Sequence, residues 1–215
     1  MTATPPAGGP AYQGLLIDYG GVLTTSIFES FHAFERREGL ARATVARLFA
    51  TDPEARATLD ALEVGADSET RFEARLGALL GVPGEGLIER LLGSARVEPA
   101  VFDAVRAVHD AGLRTALVSN SWGTALYPVE LLGELFDVRL LSGEVGLRKP
   151  DPAIYLRAVD ELGLDPGVCV FVDDLQRNLE PAARLGMATV HHTDPELTVA
   201  ELGRLFALDL TSQPR

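Results

Sequence analysis

From Pro99 onward, apolar runs of four or five residues alternate with segments of helical spacing, and this alternation restricts the fold more than any other feature. Residues 115–119, 138–141, 168–172 and 188–191 are too short for buried helices and rich in apolar, often β-branched side chains. Such runs read as strands buried on both faces. Residues 100–111, 127–135 and 153–162, a segment running to Gly186, and 195–205 carry helical spacing and alternate with them. An earlier apolar run, 14–18, ends in Tyr19-Gly20-Gly21 and reads as one more strand. Strands alternating with helices predict an α/β fold, a doubly wound parallel sheet covered on both faces. In such sheets ligands bind at the carboxyl ends of the strands.

The stretch between the first strand and Pro99 follows a different period. Phe28, Phe31 and Phe34, then Val45, Leu48 and Phe49, then Leu59, Leu62 and Val64, then Phe72, Leu76, Leu79 and Leu80 recur at helical intervals. Breaks at Gly39, Pro53, Gly65 and around Gly81 to Gly84 divide the pattern into short helices. The expected organisation is a Pro- and Gly-rich tail over 1–13, a core domain made of 14–26 and 95–210, and a helical cap over 27–94. At 215 residues the chain has room for one such core and a small insertion.

Composition narrows the partners. A formal charge of −12 repels phosphate backbones and anionic membrane surfaces, so neither nucleic acid nor a membrane is expected as a partner. No apolar run reaches the roughly 18 residues that a spanning helix needs. The N-terminal residues lack the basic region and apolar core of a secretory signal. The single cysteine, Cys169, excludes an intramolecular disulfide. A cytoplasmic protein is expected, and its oligomeric state is not legible.

Among 19 basic residues only Lys149 is lysine, and the chain has only two asparagines, Asn120 and Asn178. All three fall beside acidic or hydroxyl residues near the ends of the predicted strands. The first strand delivers Asp18, the second Ser119 and Asn120, and the run 168–172 delivers Asp173 and Asp174. Lys149 lies in the loop after the third. One sheet edge therefore gathers three carboxylates, a hydroxyl, an amide and the one ammonium. Carboxylates this close do not all stay ionised without a cation, and an oxygen-only donor set suits Mg²⁺ better than zinc. With Mg²⁺ and Lys149 the three carboxylates are neutralised, leaving room for a dianionic phosphate held also by Ser119, Asn120 and the N–H groups of the Gly20-Gly21 turn. The adjacent His191 and His192 offer too few ligands for zinc.

The set Ile17-Asp18-Tyr-Gly-Gly-Val-Leu-Thr24, Val118-Ser119-Asn120, Arg148-Lys149-Pro150-Asp151-Pro152 and Phe171-Val172-Asp173-Asp174 with Asn178 resembles, in order and spacing, the four motifs of the haloacid dehalogenase-like hydrolase superfamily. The likeness covers roughly residues 14–205. It implies a Rossmann-like core with an inserted cap and a Mg²⁺-dependent phosphomonoester hydrolase acting on a small phosphorylated metabolite. By that resemblance Asp18 is the nucleophile that becomes an aspartyl-phosphate, Ser119 and Asn120 hold the phosphoryl group, and Lys149 offsets charge. Asp174 is the direct metal ligand, Asp173 supports it, Asp18 and the Gly20 carbonyl complete the metal set, and Asn178 orients Asp174 from behind.

One position departs from the family pattern. Most phosphatases of this family carry a second aspartate two residues after the nucleophile, as general acid and base; here that position is Gly20. Such help is worth roughly 10²–10⁴-fold. Its loss points to a leaving group acidic enough to depart unprotonated, and the Asp-x-Gly motif resembles the branch with glucose-1-phosphate phosphatases, so a sugar 1-phosphate or a similarly activated phosphate ester is expected. Gly20 equally fits a weakly active or non-catalytic phosphate-binding module. A metal-free haloacid dehalogenase is the lesser rival, since Asp173 and Asp174 would only repel its substrate. In the predicted cap, Glu29, His32 and Arg36 either face substrate or form a solvated helix face, Trp122 either stacks on substrate or packs on the cap, and Arg148 either aids Lys149 or faces solvent.

Overall fold

The computed structural model describes residues 12–123 and 127–210. Residues 1–11 of the expected tail, and 124–126 of the expected helix over 127–135 with its approach, lie outside them. The expected tail is shorter at its C-terminal end: Tyr12 stacks edge-on against Phe206, and Gln13 donates its N–H to the Val168 carbonyl.

Among the described residues five strands form one sheet, all parallel, in the order β3-β2-β1-β4-β5: β1 (Gly14–Ile17), β2 (Arg114–Ser119), β3 (Val138–Leu141), β4 (Cys169–Asp173) and β5 (Ala188–His191). Between β1 and β2 lie α1 (Ile27–Glu38), α2 (Thr44–Thr51), α3 (Pro53–Glu63), α4 (Glu69–Leu80), α5 (Leu87–Leu92) and α6 (Pro99–Asp110). After β2 comes α7 (Val129–Leu135); after β3 come α8 (Ser142–Val145) and α9 (Pro152–Leu162); α10 (Gln176–Arg184) and α11 (Pro195–Phe206) follow β4 and β5.

Strand alternation divides the apolar side chains between the two faces. Leu15, Ile17, Leu117, Val170 and Val172 point to the side covered by α6, α7 and α11, where Val105, Leu135 and Leu202 meet them. Leu16, Val118 and Phe171 point to the other side, against Ile154 and Tyr155 of α9 and Leu179 of α10. The chain winds outward from β1 through β2 to β3, then crosses back to β4 on the far side of β1. Connections therefore diverge between β1 and β4, and the strand ends there open a crevice. Asp18 follows β1 and donates its backbone N–H to the Val172 carbonyl at 3.0 Å, so Asp18 and Asp173 end adjacent strands side by side.

Helices α1 to α5 enclose a separate apolar cluster that includes Phe31, Phe34, Leu62, Phe72 and Leu91. Capping explains their ends. Ser26, Asp52 and Ser68 cap α1, α3 and α4 through their side-chain oxygens, and Gly39 and Gly81 close α1 and α4 in the left-handed conformation. The N-terminus of α2 has no side-chain cap of its own. Instead the wholly buried Glu35 of α1 accepts from the N–H groups of Ala43 and Val45 at 2.8 and 2.9 Å. Two extended segments join this helical unit to the sheet: Thr24 pairs with Val97, Thr25 donates to the Arg96 carbonyl and Glu98 to that of Leu23.

Phe171 is fully buried and packs edge-on against Tyr155, with ring centroids 5.1 Å apart. Phe171→Ala is expected to lower stability by about 3–5 kcal/mol, the range for emptying such a site, as read from urea denaturation.

Candidate active site

Three strand ends, those of β1, β2 and β4, and the loop carrying Lys149 converge at the crevice. The Lys149 ammonium, 1% exposed, donates to Asp18 Oδ1 at 2.8 Å and to Asp173 Oδ2 at 2.7 Å. Asp18 Oδ1 also accepts from the Tyr19 N–H at 2.7 Å, while its second oxygen accepts nothing among the described residues. Asp173 is saturated: Asn178 donates to both its oxygens, at 2.9 and 3.1 Å, and the Leu175 N–H to Oδ1 at 2.8 Å. Asn178 thus steadies Asp173, not Asp174 as the sequence led us to expect; it sits one turn into α10, closer to the strand-borne carboxylate. Its own carbonyl accepts from the Tyr155 hydroxyl at 2.7 Å.

Asp174 is the least committed of the three carboxylates. Its Oδ1 is buried without a hydrogen-bond partner among the described residues, and one oxygen each of Asp18, Asp173 and Asp174 lie within 4.8 Å of one another. An orphaned buried oxygen beside two more carboxylates fits a hard cation with oxygen ligands such as Mg²⁺. Gly21 makes room for it. With φ at +80°, a Cβ there would stand 2.6 Å from Asp174 Oδ2. At Gly20 an added Cβ would press on Ile27 Cγ2 at 3.3 Å, so α1 crowds the position that lacks the second aspartate.

Asn120 spends its side chain on the lysine segment. Its Oδ1 accepts from the Lys149 N–H at 2.8 Å, and its Nδ2 donates to the Lys149 carbonyl at 2.9 Å and to Glu63 Oε2 at 3.1 Å. The Ser119 hydroxyl shares a hydrogen bond of 2.9 Å with that of buried Tyr127, whose ring lies 4.7 Å from Tyr19. The Gly21 N–H is turned toward Thr24 Oγ1 at 3.3 Å.

Glu63, which the sequence reading passed over, ties the helical unit to this centre. It is buried at the end of α3 and accepts from Asn120, from the Trp122 indole N–H at 3.2 Å and from Arg148 at 2.9 Å. Arg148 also pairs with Asp60, so it faces the helices and not solvent. A lone carboxylate inside the apolar run Ala61-Leu62-Glu63-Val64 was the available signal. Trp122 packs among Phe31, Phe49 and Phe72. Glu29, His32 and Arg36 do not line the cavity; Ile27, Phe28 and Phe31 of α1 do. His192 is buried against Thr198 at 2.8 Å, and His191 meets the Asp174 carbonyl at 3.0 Å.

Above Asp18 opens a cavity of about 490 Å³, floored by Ser119, Asn120, Lys149 and Asp174. Burial pushes the Asp18 carboxyl up to about 7 against the opposing charge of Lys149. Burial, with the charge of Asp173, pushes Asp174 up to about 6. Burial works against the Lys149 ammonium, yet Asp173 and Asp18 together hold its pKa above the ordinary value. Burial also raises Glu63, with Arg148 opposing.

A doubly wound sheet with a buried ammonium and three carboxylates at its switch point is the framework of an α/β enzyme. Residues 12–186 match the family model of the haloacid dehalogenase-like hydrolases, and the chain belongs to that family. It is 29% identical to mouse acyl-CoA dehydrogenase family member 10 over 95% of its own length and 20% of that protein's. It is 29% identical to pig bifunctional epoxide hydrolase 2 over 60% of its length and 24% of that protein's. The chain thus spans about a fifth to a quarter of these relatives. Sesquiterpene phosphatase astK of Aspergillus oryzae is 26% identical over 61% of the chain and 70% of that protein. The fold is that of a HAD-like hydrolase structure from Porphyromonas gingivalis (TM-score 0.66, 23% identity, 94% and 100% of the two chains). It is also that of a HAD family enzyme from Bacteroides thetaiotaomicron solved with magnesium and inorganic phosphate (TM-score 0.61, 22% identity, 84% and 93%).

Unfolded, Asp18 and Asp174 titrate near 3.8; folded and metal-free, near about 7 and about 6. The folded protein then retains protons that the unfolded chain has released, so these groups lower stability as pH rises from about 4 through about 7. The urea midpoint in EDTA is expected to be lower at pH 8 than at pH 6, and the difference to shrink in Asp18→Asn. Gly21→Ala is expected to lower stability by about 1–3 kcal/mol through backbone strain, seen as a reduced thermal midpoint.

Proposed function

We propose that the protein is a Mg²⁺-dependent phosphomonoester hydrolase working through a phosphorylated Asp18. The observation that carries this reading is the buried Lys149 ammonium between Asp18 and Asp173, at the floor of the cavity. Asp18 Oδ1 is fixed by Lys149 and the Tyr19 N–H, which leaves Oδ2 to attack phosphorus. The phosphorus–oxygen bond to the leaving alcohol breaks, and its electron pair departs with the alkoxide. Water then cleaves the acyl phosphate, releasing inorganic phosphate and restoring the Asp18 carboxylate. Lys149 offsets the charge that gathers between nucleophile and phosphoryl oxygens. Ser119 and the Gly20 N–H are left to meet the phosphoryl group, since the Gly21 N–H is turned to Thr24, and Asn120 contributes by pinning Lys149 through both atoms of its amide. Mg²⁺, held by Asp174 and Asp18 with Asp173 and the Gly20 carbonyl in support, supplies further positive charge against the phosphate oxygens when bound.

The substrate is a small phosphorylated metabolite, and Gly20 shapes its choice. Without an acid at that position the leaving group departs with little protonation, which favours acidic alcohols. The acidic surface and the one buried cysteine, Cys169, fit a cytoplasmic address. Sesquiterpene phosphatase among the relatives agrees with the phosphatase chemistry.

p-Nitrophenyl phosphate, whose leaving group needs no acid, is the first substrate to assay. Turnover is expected with Mg²⁺, to vanish in EDTA, and to fall at least about 10³-fold in Asp18→Asn. Absence of turnover by the intact protein would reject the reading and leave a phosphate-binding module.

A further inference from the structure

The cavity has two unlike halves. Its floor carries Asp18, Ser119, Asn120, Lys149 and Asp174; its wall, away from the chemistry, is formed by Ile27, Phe28, Phe31, Phe49, Leu59 and Val97 with Trp122 among them. The wall is largely aromatic. Trp122 lies 5.8 Å from Phe31 and 5.5 Å from Phe49, and Phe28 lies 6.1 Å from Phe31. Glu63, which lines the cavity beside Trp122, is occupied by Asn120, Trp122 and Arg148. The indole N–H, the wall's one side-chain donor, is spent on Glu63. A sugar set against these apolar side chains, rather than toward Thr24 or Arg177 elsewhere in the lining, would bury hydroxyls against carbon with no partner. Volume is not limiting, since about 490 Å³ lies in the range that buries a ligand of several rings.

A second observation bears on the same substrate. An added Cβ at Gly20 meets Ile27 Cγ2 at 3.3 Å, so an apolar wall residue crowds the place from which a general acid would serve the leaving oxygen. The alcohol must then be both apolar and acidic. We infer that the site is built for aryl phosphomonoesters, in which a phenolic oxygen carries the phosphate and a fused or extended ring system fills the aromatic wall. This rests on the phosphatase reading above and selects, among the activated esters expected from sequence, an aryl over a sugar phosphate. Ring faces and edges of Phe31, Phe49 and Trp122 suit such a group, and a phenoxide leaves without prior protonation far more readily than an alkoxide.

The test compares phenyl, 1-naphthyl, n-octyl and glucose 1-phosphates with the intact protein and Mg²⁺, reading kcat/KM. Phenol and naphthol differ little in acidity, so their ratio isolates burial of the second ring. Naphthyl phosphate is expected to exceed phenyl phosphate by about tenfold. Octyl phosphate, equally apolar but with a poor leaving group, is expected to trail naphthyl phosphate by at least about 10²-fold, and glucose 1-phosphate to trail phenyl phosphate. Ala50, an exposed residue of α2 that also lines the cavity, supplies a variant that spares the core: Ala50→Glu is expected to collapse the naphthyl-to-phenyl ratio toward one. Equal rates for naphthyl and phenyl phosphates, octyl phosphate as fast as naphthyl, or glucose 1-phosphate as fast as phenyl would each overturn the inference while leaving a phosphatase. Failure on every ester, p-nitrophenyl phosphate included, would instead overturn the phosphatase reading and this inference with it.

Discussion

Like charges about 5 Å apart repel by about 3 kcal/mol at an effective dielectric of 20, and β1 and β4 bring carboxylate oxygens within 4.8 Å of one another at their buried ends. The Lys149 ammonium, within 2.8 Å of two of them, is what permits these strands to lie side by side. Much of the surrounding structure serves to keep it there. Asn120 brackets its peptide on both sides, Asn178 and the Leu175 N–H fix the far carboxylate, and Tyr155 fixes Asn178 in turn. Removing one partner of such a buried set leaves an uncompensated charge, and in proteins generally that loss is about 3–5 kcal/mol.

The same corner is incomplete on one side. Asp173 has all its lone pairs engaged, whereas Asp174 keeps a buried oxygen with nothing to accept from. Burial therefore lifts Asp174 and Asp18 toward neutrality in the metal-free protein. A divalent cation would reverse both shifts at once. Two carboxylates on neighbouring positions of one chain thus have divided duties: one organises the lysine, the other stays open.

The sheet was legible because its strands are short, uniformly apolar and punctuated, and because each of them delivers polar residues at its end. Rarity marked the centre as well: the one lysine and both asparagines lie within it. What the sequence did not display were relations between segments distant in the chain. Glu35 as the cap of α2, Glu63 as partner of Arg148, and Tyr127 as partner of Ser119 all depend on packing that periodicity does not encode. The face of α1 that meets the cavity was left open for the same reason. Of the two readings of its charged residues the solvated face holds, with Glu29 and Arg36 exposed, and the helix turns Ile27, Phe28 and Phe31 to the cavity. Five helices stand between β1 and α6 where the apolar groups traced four, because the six-residue α5 between Gly86 and Gly93 is too short to show a period.

Asn120 donates to Glu63 of the helical unit and grips both sides of the Lys149 peptide. Position 63 belongs to an insertion, the kind of segment that ordinarily drifts freely while the sheet is preserved. Here that freedom is curtailed. A change at Glu63 strips Arg148 of its buried counter-charge and loosens the grip on Lys149 in the same stroke, so lineages descending from this chain can remodel the wall of the cavity readily but must replace residues 63, 120 and 148 as a group.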